Sequence, residues 1–403
     1  MSYSTPSRNQ RNERLLAPLV LIVDDEDQTP FTELLNDCGV DAIYLPPEEV
    51  ERETLSQATT VVVDQYLDNW LGRDAQALPL AMQVPDGLSL ASVFRSHVEG
   101  SGGRSGPPDS AVSFVLRTGE VDKIGAGLPA SAREHLLAAQ YNLEWVFDKS
   151  SLSGQGFPSA AIRIAELARA TAELPRDWSA GTGDPGISWL RLPLEARWAE
   201  DARWQIEQCR PPQHTVAQRT AGRSWLRWFL HRILPFPTFL IDLKKLALMF
   251  GLTTSAMEQV LSSSSALSAM LEDASYGGPL NSFMGPRWWR AGISSLIEQL
   301  LEERGMDDEA DLTAIAAAAV DAHGDTLEVL EIERPVLELN ADYSVLPAPI
   351  SAYDAVRLQP DDWPPYADEA WADRRRFVGD NSELYALVVS ADRWRLHTSP
   401  PEK

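Results

Sequence analysis

The sequence predicts an α/β domain built on a doubly wound, five-stranded parallel sheet, followed by a mainly α-helical region. Short apolar runs alternate with helical patterns through the first 150 residues, which is typical of a parallel sheet covered by helices. Beyond that point helical periodicity dominates, and strand-like alternation returns only in TLEVLEIERPVLELNADY (326–343). With 403 residues the chain is long enough for two or three domains.

The predicted sheet has five strands, each a short apolar run. The first run is continuous rather than alternating, as expected of a strand that helices cover on both faces. The five predicted strands are LVLIV (19–23), DAIYL (41–45), TTVVVD (59–64), AVSFVL (111–116) and LEWVFDKS (143–150).

Helical patterns separate these strands. FTELLNDCG is a short helix closed by Gly39, and a later helix begins at Asp86-Gly87 in DGLSLASVFRSHV. The segment EGSGGRSGPPDS (99–110) is a loop by composition. The other predicted helices are EEVERETLSQA (48–58), SAREHLLAAQ, FPSAAIRIAELARATAEL, AGISSLIEQLLEERG and ADLTAIAAAAVDAHG.

Composition sets the expected organisation and location. We expect a disordered tail at 1–16, an α/β domain at 17–150, and a helical output or interaction region at 151–403. The tail has no apolar segment of the kind that signal peptides carry, and no run approaches the ~18 apolar residues of a membrane span. Two distant cysteines, Cys38 and Cys209, favour a reducing compartment. The predicted location is therefore the cytoplasm.

Charged and polar residues cluster at the predicted strand ends. Asp24 and Asp25 follow the first strand, Asp64 ends the third, Thr118 follows the fourth, and Lys149 lies at the end of the fifth. Ligands bind at the carboxyl ends of the strands in a doubly wound sheet, so we expect these side chains to meet. Three close carboxylates repel one another, so either some of them bind a proton or a hard divalent cation joins them, and Mg²⁺ suits an all-oxygen site. A metal, an ammonium and a hydroxyl around a carboxylate are what phosphoryl transfer requires.

This block resembles the receiver domain of bacterial two-component response regulators. The resemblance covers about residues 17–150, in the motifs LIVDDED (21–27), VVVDQYL (61–67), DGLSLASVF (86–94), VLRTG (115–119) and WVFDK (145–149). It implies a flavodoxin-like fold in which Asp64 is the phosphoacceptor and Asp24 and Asp25 hold Mg²⁺. The backbone carbonyl of Tyr66 is then a further ligand, Thr118 the switch hydroxyl with Gly119 beside it, and Lys149 the ammonium that binds the phosphoryl group.

The chain departs from the pattern of this family at three places. Ser150 stands where a proline normally follows the lysine. About twenty residues separate Asp64 from Asp86-Gly87, where the family has a short loop. The family usually has an aromatic residue three places before the lysine. Here that position is Val146, and Trp145 lies one place away. These departures leave every chemical group of the site in place and predict a divergent receiver with altered signalling.

A second interpretation of the first acidic stretch is a phosphatase loop. Asp25-x-Asp27-x-Thr29 fits the nucleophile loop of haloacid-dehalogenase-like phosphotransferases. That family also needs an acidic pair at a strand end after its lysine. The clearest pair after Lys149 is Asp361-Asp362, about two hundred residues further on and beside prolines. This interpretation also leaves Asp64 without a role, so it ranks below the receiver.

The helical region contains one pattern typical of DNA binding. LKKLALMFGLTTSAMEQVL (243–261) fits a helix-turn-helix, and arginines and lysines are frequent just before it. The second helix of the pair has no arginine or lysine and carries Glu258, whereas base recognition relies heavily on cationic and amide side chains. The net charge of −24 also disfavours general binding to nucleic acid. A protein-docking bundle is therefore favoured over DNA contact.

The sequence thus predicts a phosphorylatable signalling protein with no separate enzymatic activity. A histidine kinase or a phosphotransfer protein is the expected donor, and Mg²⁺ the expected cofactor. The output would be protein contacts of the helical region, with the α/β domain or a second copy of the chain among possible partners, or the chain would act as a phosphate sink. A DNA-binding regulator using residues 243–261 is the alternative, and the phosphatase comes third.

Overall fold

The centre of the fold is a five-stranded sheet, seen here in a computed structural model. The structure describes residues 17–70, 84–100, 111–149, 158–175, 178, 184–211, 221–306, 311–377 and 383–397. The strands are β1 (Leu19–Val23), β2 (Asp41–Leu45), β3 (Thr60–Val63), β4 (Ser113–Thr118) and β5 (Trp145–Asp148). All neighbouring pairs are parallel, in the order β2-β1-β3-β4-β5. The predicted fold class is confirmed, and the arrangement is consistent with a flavodoxin-like α/β fold.

Five helices follow the strands: α1 (Thr29–Asp37), α2 (Arg52–Gln57), α3 (Gly87–Gly100), α4 (Val121–Ile124) and α5 (Arg133–Gln140). The single helix predicted over 48–58 is broken, because Val50 and Glu51 are extended between a 3₁₀ turn at Pro47–Glu49 and α2. The fourth strand lies two residues later than predicted, so that it includes Arg117 and Thr118.

Successive side chains of the strands enter two different cores. Val20, Ile22 and Val115 pack on the face that also holds α1, whereas Leu21, Val23 and Leu116 pack on the face that holds α2 and α3. This alternation follows from the two-residue period of a strand, and both faces are buried because helices cover each of them.

A helix beyond residue 150 also covers the sheet face that holds α1. Helix α6 (Ala160–Ala172) buries Ile164 and Leu167 in the same core as Val20 and Ile22. The guanidinium of Arg169 donates to the carbonyl of Cys38, just after α1, at 2.9 Å. The domain boundary near 150 stays a prediction, although helix α6 after it packs directly on the sheet.

The rest of the chain is mainly helical, as predicted. A π-helical turn at Phe229–Ile233 continues the helix that ends at Trp228, and Phe229, Leu230 and Ile233 belong to the same core as Val20 and Ile22. A third core lies among the later helices, around Phe250, Met257 and Leu267. The helices are α7 (Pro185–Trp189), α8 (Ala199–Cys209), α9 (Ala221–Trp228), α10 (Leu243–Met249), α11 (Thr254–Ser262), α12 (Ala266–Asp273), α13 (Arg290–Glu302) and α14 (Leu312–His323).

Short antiparallel pairs supply the β-structure of the C-terminal region. They are β6 (Leu240–Ile241) with β7 (Trp288–Trp289), β8 (Pro335–Val336) with β9 (Ile350–Ser351), and β10 (Ala355–Leu358) with β11 (Ala370–Asp373). Within the segment 326–343 only β8 is a strand, because isolated bridges such as that of Leu339 with Val345 replace a continuous ladder.

The helical region packs against the last strand of the sheet. The indole of Trp145 stands edge-on to the ring of Phe283, with 4.9 Å between ring centroids. Arg227 at the end of α9 donates through Nε to the carboxylate of Glu144 at 2.6 Å, and Glu144 is fully buried. The ring of His231 lies 3.0 Å from the carbonyl of Glu144. The edge of the sheet is therefore an internal interface of this chain.

Several predicted features lie outside the described residues. They are the tail at 1–16, the loop from 101 onward, residues 71–83 of the segment after Asp64, and Ser150. Among the described helices, none combines the length and the apolar character needed to cross a lipid bilayer.

Candidate metal centre

Three carboxylates meet at the carboxyl edge of the sheet. Val23 pairs with Val63 in the register of β1 and β3, so the next residues, Asp24 and Asp64, are neighbours across adjacent strands. Oxygen atoms of Asp24, Asp25 and Asp64 all lie within 4.8 Å of one another. The edge between β1 and β3 is where the strand order changes direction, which is the usual ligand position in such sheets.

Local hydrogen bonds orient the two acids of the first loop. The Glu26 N–H donates to Oδ1 of Asp24 at 3.0 Å, and the Asn69 N–H donates to Oδ2 of Asp25. Asp24 is buried and Asp25 is half-buried. Each carboxylate keeps a second oxygen or lone pair for another ligand, so the three acids form a donor set that a hard divalent cation such as Mg²⁺ would fit.

Lys149 bridges two of the three acids. Its ammonium nitrogen lies 3.0 Å from Oδ2 of Asp24 and 3.0 Å from Oδ1 of Asp64. The Lys149 N–H also donates to the carbonyl of Thr118, so the end of β4 fixes the start of this side chain. Burial lowers the pKa of Lys149, but attraction to Asp64 and Asp24 outweighs it and raises the pKa overall. The lysine therefore stays charged beside the acids.

Asp64 is the most perturbed carboxylate of the cluster. Burial raises its pKa to about 6, and repulsion from Asp24 adds to that effect while Lys149 opposes it. A raised pKa in a polar cluster at a strand end is typical of a functional site.

Replacing Asp64 should therefore stabilise the metal-free protein. In the folded state the carboxyl group binds a proton more tightly than in the unfolded state, so stability falls as pH rises from about 4 to about 6 and stays lowered above that. Asp64→Asn removes the penalty and should raise the free energy of unfolding by about 1 to 2 kcal/mol above pH 6, since one pKa unit corresponds to about 1.4 kcal/mol. Thermal unfolding at pH 4 to 8 measures this.

Asp37→Asn is the matched control for that experiment, because Asp37 is exposed. Its thermal unfolding curve should match that of wild type at every pH. Added Mg²⁺ should narrow the gap between wild type and Asp64→Asn, because the cation stabilises only the ionised cluster. An Asp64→Asn protein that is less stable than wild type at pH 8 would contradict the prediction.

The remaining predicted site residues lie at the same edge. Thr118 is fully buried, and its hydroxyl oxygen accepts from the Glu120 N–H at 3.3 Å. Tyr66 is exposed, and a hydrogen bond from its hydroxyl to Glu120 raises its pKa to about 12. The tyrosine side chain thus links the loop after β3 to the loop after β4. Gly119 has open space around its α-carbon.

One of the three departures from the receiver pattern, at Val146 and Trp145, lies wholly within the described residues. Val146 packs in the core with Leu116 and Val63, on the face that holds α3. Trp145 points to the opposite face, where its indole N–H donates to Glu134 at 2.8 Å. The tryptophan therefore belongs to the interface with the helical region and does not replace the missing aromatic residue.

Gly87 is a site residue whose importance the sequence did not reveal. A Cβ atom at this position would lie 1.7 Å from the backbone carbonyl oxygen of Asp64, which no real contact allows. The Gly87 N–H also donates to the carbonyl of Gln65 at 3.0 Å. The start of α3 thus packs directly on the loop that carries Asp64. The sequence shows a glycine at this position of the motif, but it does not show that the glycine lies against the backbone of Asp64.

Gly87→Ala should displace that loop. We expect a loss of about 1 to 3 kcal/mol in the free energy of unfolding, as for other overpacked sites, together with weaker Mg²⁺ binding. Urea unfolding and calorimetric Mg²⁺ titration measure the two effects. Gly119→Ala is the matched control for stability, because its added methyl group meets nothing within 4 Å. Equal stability of the two variants would show that Gly87 does not constrain Asp64.

The residues of the phosphatase interpretation are arranged differently. The carboxylate of Asp27 accepts from both the N–H and the hydroxyl of Thr29, at 3.0 and 2.6 Å, and so is occupied by the first residue of α1. Asp27 is exposed and is not one of the three clustered acids. Asp362 lies 3.9 Å from Arg232 in the helical region. This geometry favours metal binding by Asp24 and Asp25 over a nucleophile loop.

The predicted helix-turn-helix segment forms two helices, α10 and α11. Gly251 in the turn has a φ of +65°, which favours glycine. The amine of Lys245 pairs with Asp368 at 2.6 Å, and that of Lys244 donates to the carbonyl of Val345. The exposed residues of α11 are Ser255, Glu258, Gln259 and Ser262. DNA binding by this segment stays a prediction, with its two lysines occupied by later parts of the chain.

Comparisons with known proteins add little. No model of a protein family matches the chain, and no curated protein matches it. One solved structure that resembles it is NtrX from Brucella abortus in complex with ATP, at 20% identity and a TM-score of 0.26. The match covers 49% of this chain and 35% of that chain. A TM-score this low does not establish a common fold.

Proposed function

We propose that this chain is a phosphorylatable receiver protein of a two-component-type phosphorelay, in which Asp64 accepts a phosphoryl group. The donor would be a histidine kinase or a phosphotransfer protein. One observation carries the proposal: the buried carboxylate of Asp64 has the ammonium of Lys149 at 3.0 Å and two further carboxylates within 4.8 Å. That set combines a nucleophile, a cation for the phosphoryl oxygens and a metal-binding pair.

In the transfer, a carboxylate oxygen of Asp64 attacks phosphorus as the nitrogen–phosphorus bond of a phosphohistidine breaks, and a proton returns to the imidazole. Mg²⁺ would be held by Asp24, Asp25, Asp64 and the backbone carbonyl of Tyr66, and when bound it supplies positive charge to the phosphoryl oxygens. Lys149 offsets charge on the same oxygens.

The Thr118 hydroxyl would supply the switch. It is buried at the end of β4, two residues before Glu120, whose side chain contacts Tyr66. A hydrogen bond from this hydroxyl to a phosphoryl oxygen would move the loop after β4. That loop is followed by α4 and α5, and α5 contacts the helical region through His135 and Phe236, whose ring centroids are 5.8 Å apart.

The output proposed for the helical region is protein contact, or the chain acts as a phosphate sink. We further propose that it works in the cytoplasm of a bacterium and has no separate enzymatic activity. The internal interface at Glu144 and Arg227 supports coupling of the two parts.

The test is incubation of the full chain with acetyl phosphate and Mg²⁺, followed by intact mass measurement. Wild type should gain one phosphoryl group, and Asp64→Asn should gain none. A group that persists in Asp64→Asn would overturn the receiver assignment. A group lost in Asp25→Ala yet retained in Asp64→Asn would favour the phosphatase loop instead.

A further inference from the structure

Arg117 is the one charged residue of strand β4. It is the next-to-last residue of β4, directly before Thr118, and the alternation of the strand directs the two side chains to opposite faces. The guanidinium carbon lies 3.7 Å from the ring centroid of Phe31, and Nη1 donates to Oε1 of Gln28 at 3.0 Å. Both contacts are with the start of α1.

These contacts fasten the loop that carries the first two acids. Gln28 and Phe31 are both buried, and Gln28 lies four residues after Asp24. The short loop from Asp24 to Gln28 is therefore held at one end by β1 and at the other by Arg117. Since Arg117 belongs to the strand that ends in Thr118, it ties the metal-binding loop to the switch strand.

The charge of Arg117 is not neutralised by a direct partner. Among the described residues it forms no ion pair within 4.0 Å, and its buried Nε atom has no hydrogen-bond partner. Burial lowers the pKa of the guanidinium, while attraction to Asp24 and then Asp64 opposes that effect. The carboxylates of the cluster thus lie within electrostatic range of this cation.

Resting on the proposed function, we infer that Arg117 acts on the Asp64 site through its charge, which its contacts with Gln28 and Phe31 place beside the Asp24-Asp25 loop and which partly offsets the charge of the acid cluster. The charge of Arg117 should affect Mg²⁺ binding and phosphorylation in opposite directions. The positive charge opposes binding of Mg²⁺ to the cluster. The same charge favours the additional negative charge that arrives with the phosphoryl group.

Three variants of the full chain separate charge from structure. Arg117→Met removes the charge and keeps an unbranched side chain against Phe31, whereas Arg117→Lys keeps the charge and loses the planar contacts. Arg169→Met is the matched control. Arg169 contacts the carbonyl of Cys38 at the other end of α1, so this substitution removes the same charge at a different place. Calorimetry gives the Mg²⁺ dissociation constant, and intact mass gives the rate of phosphorylation by acetyl phosphate at saturating Mg²⁺.

Arg117→Met should lower the Mg²⁺ dissociation constant by about 3- to 10-fold and slow phosphorylation by about the same factor, as expected for the loss of one screened unit charge near the cluster. Arg117→Lys and Arg169→Met should stay within about 2-fold of wild type in both measurements, because the first keeps the charge and the second acts at the far edge. Weaker Mg²⁺ binding in Arg117→Met would overturn the inference, because it would show that Arg117 acts by holding the loop and not through its charge. The inference would also be overturned if Arg169→Met changed the Mg²⁺ dissociation constant and the phosphorylation rate as much as Arg117→Met does.

Failure of the proposed function would look different. Wild type would then take no phosphoryl group from acetyl phosphate, while the Mg²⁺ titrations would still decide whether Arg117 opposes the cation.

Discussion

Arg227→Met is expected to destabilise the protein by about 3 to 5 kcal/mol, the range for a buried ion pair that loses one partner. The carboxylate of Glu144 is fully buried between β4 and α9. One of its oxygens accepts from the Phe114 N–H and the other from Nε of Arg227. Removing the guanidinium leaves a negative charge in the core, and the Phe114 N–H then remains as its hydrogen-bond donor among the described residues.

A double-mutant cycle measures this pair. Glu144→Gln should itself destabilise, because it leaves the Arg227 cation without its carboxylate, and the double variant should be more stable than Arg227→Met alone. The control is Arg191→Met, which breaks an exposed pair with Glu173 and should cost less than about 1 kcal/mol. Additive losses in the cycle would show that Glu144 and Arg227 do not interact energetically.

The same pair bears on how the two parts of the chain communicate. Trp145, Glu144 and His231 lie in one continuous contact between the edge of the sheet and the π-helical turn after α9. The start of β5 is therefore in direct contact with the helical region. We expect one cooperative unfolding transition for the sheet and this helix, rather than two separate ones.

The acid cluster could be predicted because each of its residues is local to a strand end. A parallel sheet brings the carboxyl ends of its strands to one edge. To predict that Asp24, Asp64 and Lys149 lie together, it was therefore enough to locate three apolar runs in the sequence. Asp24, Asp25 and Asp64 do lie together in a group that could hold a metal ion, and their role as ligands stays a prediction. The roles assigned to Thr118, Tyr66 and Lys149 stay predictions.

Other features depend on packing between distant segments, which a single sequence does not reveal. Nothing in the motif VLRTG shows that Arg117 reaches Gln28, nearly ninety residues earlier in the chain. The ion pair of Lys245 with Asp368 likewise joins segments whose separation is invisible to local periodicity. The predicted β-structure near the C-terminus is present, but within 326–343 it is limited to the two residues of β8, because the rest of the alternating segment forms isolated bridges and irregular packing.

Lys149→Gln is expected to slow phosphorylation of Asp64 by about 100-fold or more, the usual effect of removing a positioned group that stabilises a charged transition state. The ammonium of Lys149 lies 3.0 Å from both Asp24 and Asp64, so its loss removes the cation closest to the attacking oxygen. Lys149→Arg should recover part of the rate, because it keeps the charge but not the compact geometry.

The pH profile distinguishes this role from a structural one. Attraction to Lys149 opposes the burial that raises the pKa of Asp64 to about 6, so Lys149→Gln should raise that pKa further. The remaining phosphorylation should then increase up to a higher pH than in wild type, since only the ionised carboxylate attacks. Lys123→Gln is the control, because this exposed lysine pairs with Glu120 and should leave both rate and profile unchanged. A Lys149→Gln protein with an unshifted profile would mean that the lysine acts on the phosphoryl donor alone, and not on the ionisation of Asp64.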